Sequence, residues 1–194
     1  MARTKVFEEQ EVLSKAMNLF WEKGYNATSA QDLVDGLGIS RSSLYDTFGD
    51  KHSLFLKALK QYRKERVDPV LDGVDKAEDI EAYIRYIFEV VKAEALSENK
   101  SKGCFIVNSA VEMVPFDKEV AEFANAIMRD TEEAVCKAIK KGQDQGVFTK
   151  RYPPRTLSRF IFNSLNGFRV TMKFDASKKM FDDIVNVCLS TLKD

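Results

Sequence analysis

Between Ser40 and Lys51 the chain sets out three adjacent hydroxyls or near neighbours (Ser40, Ser42, Ser43), a guanidinium (Arg41), a phenol (Tyr45), a further hydroxyl (Thr47) and an ammonium (Lys51). These groups suit contact with a polyanion. Small hydroxyls let a backbone approach closely and bond either a phosphate or a base edge, and a guanidinium can bond two acceptors of guanine at once. A phenol and an ammonium suit phosphate oxygens. Asp46 lies among them and opposes the pattern; it either accepts from a cytosine amino group or points to solvent, and the second is the better expectation. Ser and Thr are also common helix caps, so hydroxyls alone do not settle the matter.

Catalytic chemistry is poorly served. The single histidine, His52, has no marked serine or cysteine to complete a triad, and it follows Lys51 in the first turn of a helix, which suggests a surface residue or an auxiliary phosphate contact. No Walker loop, dinucleotide fingerprint or paired-histidine zinc motif occurs. No enzyme, metal site or cofactor is expected. Cys104, Cys136 and Cys188 are odd in number and far apart, so they suggest neither a disulfide framework nor a metal motif. Cys104 stands at an expected helix start beside Lys100 and Lys102, a setting that favours thiolate and so a redox role; the plainer alternative is a small buried apolar residue.

The elements that would position these groups are helical almost throughout, with no sustained strand alternation. A first helix runs from about Phe7 to Lys23 on the stripe Leu13, Ala16, Met17, Phe20 and Trp21, and Gly24 ends it. A second starts at a Thr28 or Ser29 cap, with Thr28 and Gln31 at capping-box spacing. Gly36-Leu37-Gly38 breaks the chain, and Ser40 caps a short third helix with Leu44 and Phe48 inward. Asp50 caps a fourth that fades near Pro69 and Gly73. Further helices follow around Ile80–Val91, Cys104–Met113, from Asp117 to the glycines Gly142 and Gly146, from Pro153-Pro154, and across Met180–Leu192, with a polar loop at Ser97–Lys102. The expected class is all-α: an N-terminal three-helix helix-turn-helix domain (1–52) and a C-terminal helical ligand-binding and dimerisation domain (53–194), about nine helices in all.

Length and composition agree. The 194 residues are 44% hydrophobic and 31% charged, ordinary for a packed protein. Formal net charge is zero, but residues 1–66 carry 11 Lys/Arg against 9 Asp/Glu, a small bias of the sign nucleic acid requires. No apolar run reaches the ~20 residues of a membrane span, and the N-terminus lacks the apolar stretch of a signal peptide, so the cytoplasm is the expected place and no membrane partner is expected.

The segment from Thr28 to Lys51 resembles the DNA-binding domain of the tetracycline-repressor (TetR/AcrR) family. Phe20, Gly24-Tyr25, Thr28-Ser29, Leu33 and Gly38-Ile39-Ser40 carry the likeness. So, above all, do Ser43-Leu44-Tyr45, Phe48-Gly49-Asp50-Lys51 and Leu54-Phe55. The family often has His where this chain has Thr47, a departure that weakens a phosphate contact there. The resemblance implies a repressor of double-stranded operator DNA, released by a small apolar or aromatic effector. Thr28 and Ser29 would touch phosphate, Ser40, Arg41, Ser42 and Ser43 would meet the groove, and Tyr45, Thr47 and Lys51 would hold the backbone. It implies an effector pocket with Tyr83, Phe88, Met113, Phe116, Phe123, Ile127, Phe162 and Asn166 as lining candidates, although such residues at helical spacing more often fill a core. It implies a homodimer through the last two helices, with Leu157, Phe160, Ile161, Ser164, Phe168, Phe181 and Val185 as interface candidates. Two other readings remain at this point: a cysteine-based redox or electrophile sensor, and a ligand-binding adaptor without DNA binding.

Overall fold

Six helices of the described residues begin at a side chain that replaces the missing backbone partner: Ser29, Ser40, Asp50, Asp79, Asp117 and Ser177. In the computed structural model, which describes residues 8–97, 102–174 and 177–194, α1 spans Glu9–Lys23, α2 Ala30–Leu37 and α3 Arg41–Phe48. Phe7 and Lys100, and the middle of the loop expected at 97–102, lie outside the described residues. Ser40 and Asp50 cap α3 and α4 as expected, accepting from the N–H groups of Ser43 and Ser53. The cap of α2 is Ser29, not Thr28, and its reciprocal partner is Asp32, not Gln31.

The fourth helix does not fade at Pro69. An α segment Lys51–Tyr62 passes through a π turn, Arg63–Val67, into a second α segment, Asp68–Lys76. Proline lacks an N–H and its ring crowds the carbonyl four residues back. The widened turn, in which the N–H of Asp68 reaches Arg63, shifts the ladder by one residue just before Pro69, and the helix continues. We treat 51–76 as one helix, α4. Then follow α5 (Ile80–Ala95), α6 (Phe105–Met113), α7 (Lys118–Asp144), α8 (Pro154–Thr171) and α9 (Lys178–Ser190). Helix α7 runs through Gly142 rather than ending there; the turn comes at Gly146, whose φ is 72°. Nine helices and no strand make up the described residues.

Buried apolar side chains form two clusters. The C-terminal one joins α5, the far half of α7, α8 and α9, with Phe168 edge-on to both Phe88 (5.6 Å) and Phe181 (5.0 Å). The N-terminal one joins α1–α4 and also takes in Cys104, Phe105, Ile106 and Met113 around α6 and Val120, Ala124 and Ile127 from the near half of α7. Its centre is a chain of aromatic contacts: Phe20 against Phe55 (5.2 Å), Phe55 against Phe105 (5.7 Å), Phe105 against Tyr62 (5.7 Å) and Tyr62 against Trp21 (5.1 Å). Edge-to-face pairs of this kind add to the burial of the rings themselves. Helix α6 is thereby built into the same core as the helix-turn-helix.

Candidate nucleic-acid interface and effector cavity

Helix α3 is eight residues long and amphipathic by necessity. It buries Leu44 and Phe48 and turns its remaining side chains outward. Arg41, Ser42 and Asp46 are exposed; Ser43, Tyr45 and Thr47 are half-buried. The guanidinium of Arg41 lies over the Tyr45 ring, 5.8 Å from its centre, which holds both at one end of the outer face. The Ser40 hydroxyl is occupied: it accepts from the Ser43 N–H at 3.2 Å and donates to the Ser43 hydroxyl at 2.9 Å. Lys51, at the start of α4, stands over the Tyr25 ring at 4.3 Å, and burial lowers its pKa.

At the start of α2 the expectations need correction. Thr28 is 0% exposed and donates to the Gly24 carbonyl at 2.6 Å, so its hydroxyl closes the α1–α2 loop and does not reach outward. Ser29 is exposed, but its N–H and hydroxyl both donate to Asp32, at 2.8 and 2.7 Å. Asp32 in turn pairs with Lys23 at 2.6 Å, and these bonds hold its carboxyl well below the usual range. Both donors of Ser29 are thus already bonded within the chain. His52 is not a free surface residue. It meets Asp117 at 2.7 Å and Glu119 at 3.6 Å, joining the first turn of α4 to the start of α7.

Three further hydrogen bonds join the helix-turn-helix to α6 and the residues just before it. The Glu112 carboxylate accepts from the N–H groups of Tyr25 (2.9 Å) and Asn26 (2.7 Å), and the Trp21 indole donates to the Gly103 carbonyl (2.9 Å). Gly24 permits the first of these: a Cβ there would stand 2.9 Å from Glu112, and its φ is 84°.

A cavity lies among α4–α8. About 50 Å³ of it is free, within an open space of about 710 Å³ that includes its mouth. Of the eight lining candidates it is bordered by two, Tyr83 and Ile127. Phe88 is buried in the C-terminal core against Phe168. Met113 and Phe123 belong to the N-terminal cluster, and Phe116 is 88% exposed. On α8 the wall is made by Leu165 and Arg169, one turn apart; Phe162 and Asn166 stand on neighbouring faces. No phenylalanine borders the cavity among the described residues; its aromatic lining is Tyr62 and Tyr83. Sequence reading missed Tyr62, Arg66, Glu94 and Arg169, which the π turn and the two-core packing bring to this space. Burial pushes the Tyr83 phenol up to about 12, and its hydroxyl donates to the Val70 carbonyl at 2.6 Å.

Cys104 is the residue preceding α6, as expected, and also lines the cavity. It is 4% exposed, and the Tyr62 hydroxyl donates to its sulfur at 3.6 Å. Lys102 directs its ammonium over Trp21 instead, 5.6 Å from the ring centre.

Five of the seven interface candidates are core residues of their own subunit: Leu157, Ile161, Phe168, Phe181 and Val185. The outward stripe of α8 carries Phe160, Ser164, Gly167 and Val170, continued by Phe174, with Val187 exposed on α9.

Comparison with known proteins matches this architecture. Residues 12–58 fit the sequence profile described as bacterial regulatory proteins, tetR family, and residues 80–187 fit the tetracyclin repressor-like C-terminal domain. The uncharacterized HTH-type transcriptional regulator YezE of Bacillus subtilis (strain 168) is 34% identical over 193 residues, covering 99% of this chain and all of the relative. The HTH-type transcriptional repressor ComR of Escherichia coli (strain K12) is 26% identical, covering 96% and 90%. Among solved structures, the TetR family transcriptional regulator CifR in complex with a 26bp operator superposes with a TM-score of 0.87 at 23% identity, covering 98% of this chain and all of that one. The chain belongs to the TetR family of DNA-binding transcriptional regulators.

Proposed function

We propose that the protein is a cytoplasmic homodimeric repressor that holds double-stranded operator DNA through α3 and releases it when a small molecule enters the cavity among α4–α8. In this division of labour residues 1–52 read DNA, and residues 53–194 sense and dimerise. The observation that carries it is α6: its start lines the cavity through Cys104 and Ile106, and its last turn grips the α1–α2 loop through Glu112. The free volume is far below the ~300–1,000 Å³ of ordinary ligand sites. A ligand therefore has to part the helices, and α6 carries that movement to the reading head. A shift in head spacing then weakens DNA binding, by a coupling of typically about 1–3 kcal/mol. On DNA, Arg41, Ser42 and Ser43 meet base edges, and Tyr45, Thr47 and Lys51 meet phosphates.

The test is a gel shift on the DNA flanking the protein's own gene, titrated with salt. A reading head that neutralises several phosphates loses affinity steeply as salt rises. Absence of any shift at low salt would favour the adaptor reading.

A further inference from the structure

The cavity has two chemically different ends. Its inner wall is aliphatic, with Val70, Leu71, Ile87, Val91 and Val135 among its side chains. Its outer end is charged. Arg66 and Glu94 border both this cavity and a second cleft that contains Trp21 and Lys102, so the two spaces meet at this pair. Arg169 reaches the same cavity from α8. Three cations and one carboxylate therefore line the way in.

The excess of positive charge is not used up within the protein. Among the described residues Arg66 forms no ion pair within 4 Å, and Arg169 bonds only the neutral amide of Asn166, at 3.4 Å. Burial raises the Glu94 carboxyl while both guanidiniums oppose that rise, so Glu94 balances at most one of them. Arg169 is half-buried and Arg66 exposed, and a guanidinium favours a planar anion that two N–H groups can hold together.

We propose that the effector is an aliphatic carboxylate, its chain in the α4–α8 cavity and its carboxylate held by Arg66 and Arg169 at the mouth. This rests on the reading of that cavity as the effector site. An amine would meet repulsion from two guanidiniums, and an alcohol would leave them unanswered.

The experiment is calorimetric titration of the full-length protein with octanoate, octan-1-ol and octylamine at low salt. Octanoate is expected to bind at least tenfold more tightly than the other two. Arg66→Gln and Arg169→Gln should each weaken octanoate roughly tenfold, the loss of a charge-assisted contact, and leave octan-1-ol unchanged. Ala134→Phe, which fills the aliphatic part of the cavity, should abolish binding of both; melting curves confirm that each variant is folded. If octan-1-ol matches octanoate, or the octanoate preference survives both arginine substitutions, the carboxylate assignment is overturned while the cavity reading stands. If octanoate still binds the Ala134→Phe protein at full strength, the cavity reading falls with it.

Discussion

Arg41 and Lys51 are cations in unlike settings, and their substitution should separate two kinds of DNA contact. Arg41 is exposed at the outer end of α3, free to turn from Tyr45 to a base. Arg41→Ala should relax preference at one base pair at a cost of about 1–3 kcal/mol, read from binding to an operator library. Lys51 is anchored over Tyr25, so Lys51→Ala should weaken all sequences alike and flatten the salt dependence; altered base preference at unchanged affinity would refute its phosphate role. Asp117 offers a test without DNA. Its carboxylate accepts from the Val120 N–H at 2.9 Å and from His52, and these bonds lower its pKa. A lowered folded pKa means stabilisation that is present above the unfolded value of about 3.9 and lost as pH falls through the folded one. Asp117→Ala should cost about 1–2 kcal/mol in urea unfolding at neutral pH, as the loss of a cap does, with the deficit shrinking in acid. At this scale the sequence disclosed roles set by neighbours in the chain: Ser40 and Asp50 as caps, Leu44 and Phe48 as inward residues. It did not disclose that Thr28 turns in and Phe116 turns out. Thr28 is settled by a local loop bond with the same appearance in sequence as a cap, and Phe116 by a turn after α6 whose direction no periodicity records.

Among the elements, α7 shows how a nearby ring can overrule local preference. Gly142 lies within the helix, where alanine would ordinarily be better by roughly 1 kcal/mol. A Cβ there would come within 2.1 Å of the Phe148 ring, which folds back onto the helix end. Gly142→Ala should therefore destabilise, by about 1–3 kcal/mol in thermal or denaturant unfolding, as overpacking does. A stabilised variant would mean that Phe148 is free to move aside. Helix existence was legible along the whole chain because the apolar stripes are strong. The passage through Pro69 was not, because a π turn is a one-residue shift of register that leaves no compositional mark. That shift is what brings Arg66 and Val67 to the cavity, so the site was lost to sequence reading at the same residue as the helix.

For the molecule as a whole, the outer stripe of α8 is the face proposed to meet a second subunit. Phe160 is 45% exposed, and a Cβ on Gly167 would meet nothing within 4 Å, so a second helix has room to approach there. Phe160→Asp together with Gly167→Arg should leave the subunit folded and convert a dimer to monomer in sedimentation. Operator affinity should fall with it, since two reading heads spaced for successive grooves are replaced by one. An unchanged dimer would place the interface elsewhere. The residues the sequence offered for the interface lie mostly on the inward faces of α8 and α9: Leu157, Ile161 and Phe168 repeat at helical spacing because the subunit's own core needs them. Apolar periodicity identifies the most buried face first, and a homodimer's face is the lesser of the two.

Because Phe105, Met113 and Val120 complete the core around Phe20 and Phe55, the reading head is not a detachable cassette. A fragment cut after α3, or after the first half of α4, would leave that core open on one side. Grafting this head onto a relative's sensor would succeed only if the matching α6 travelled with it. Specificity for DNA and response to ligand are therefore constrained to diverge together along this short helix, even though no residue of it need ever touch the operator.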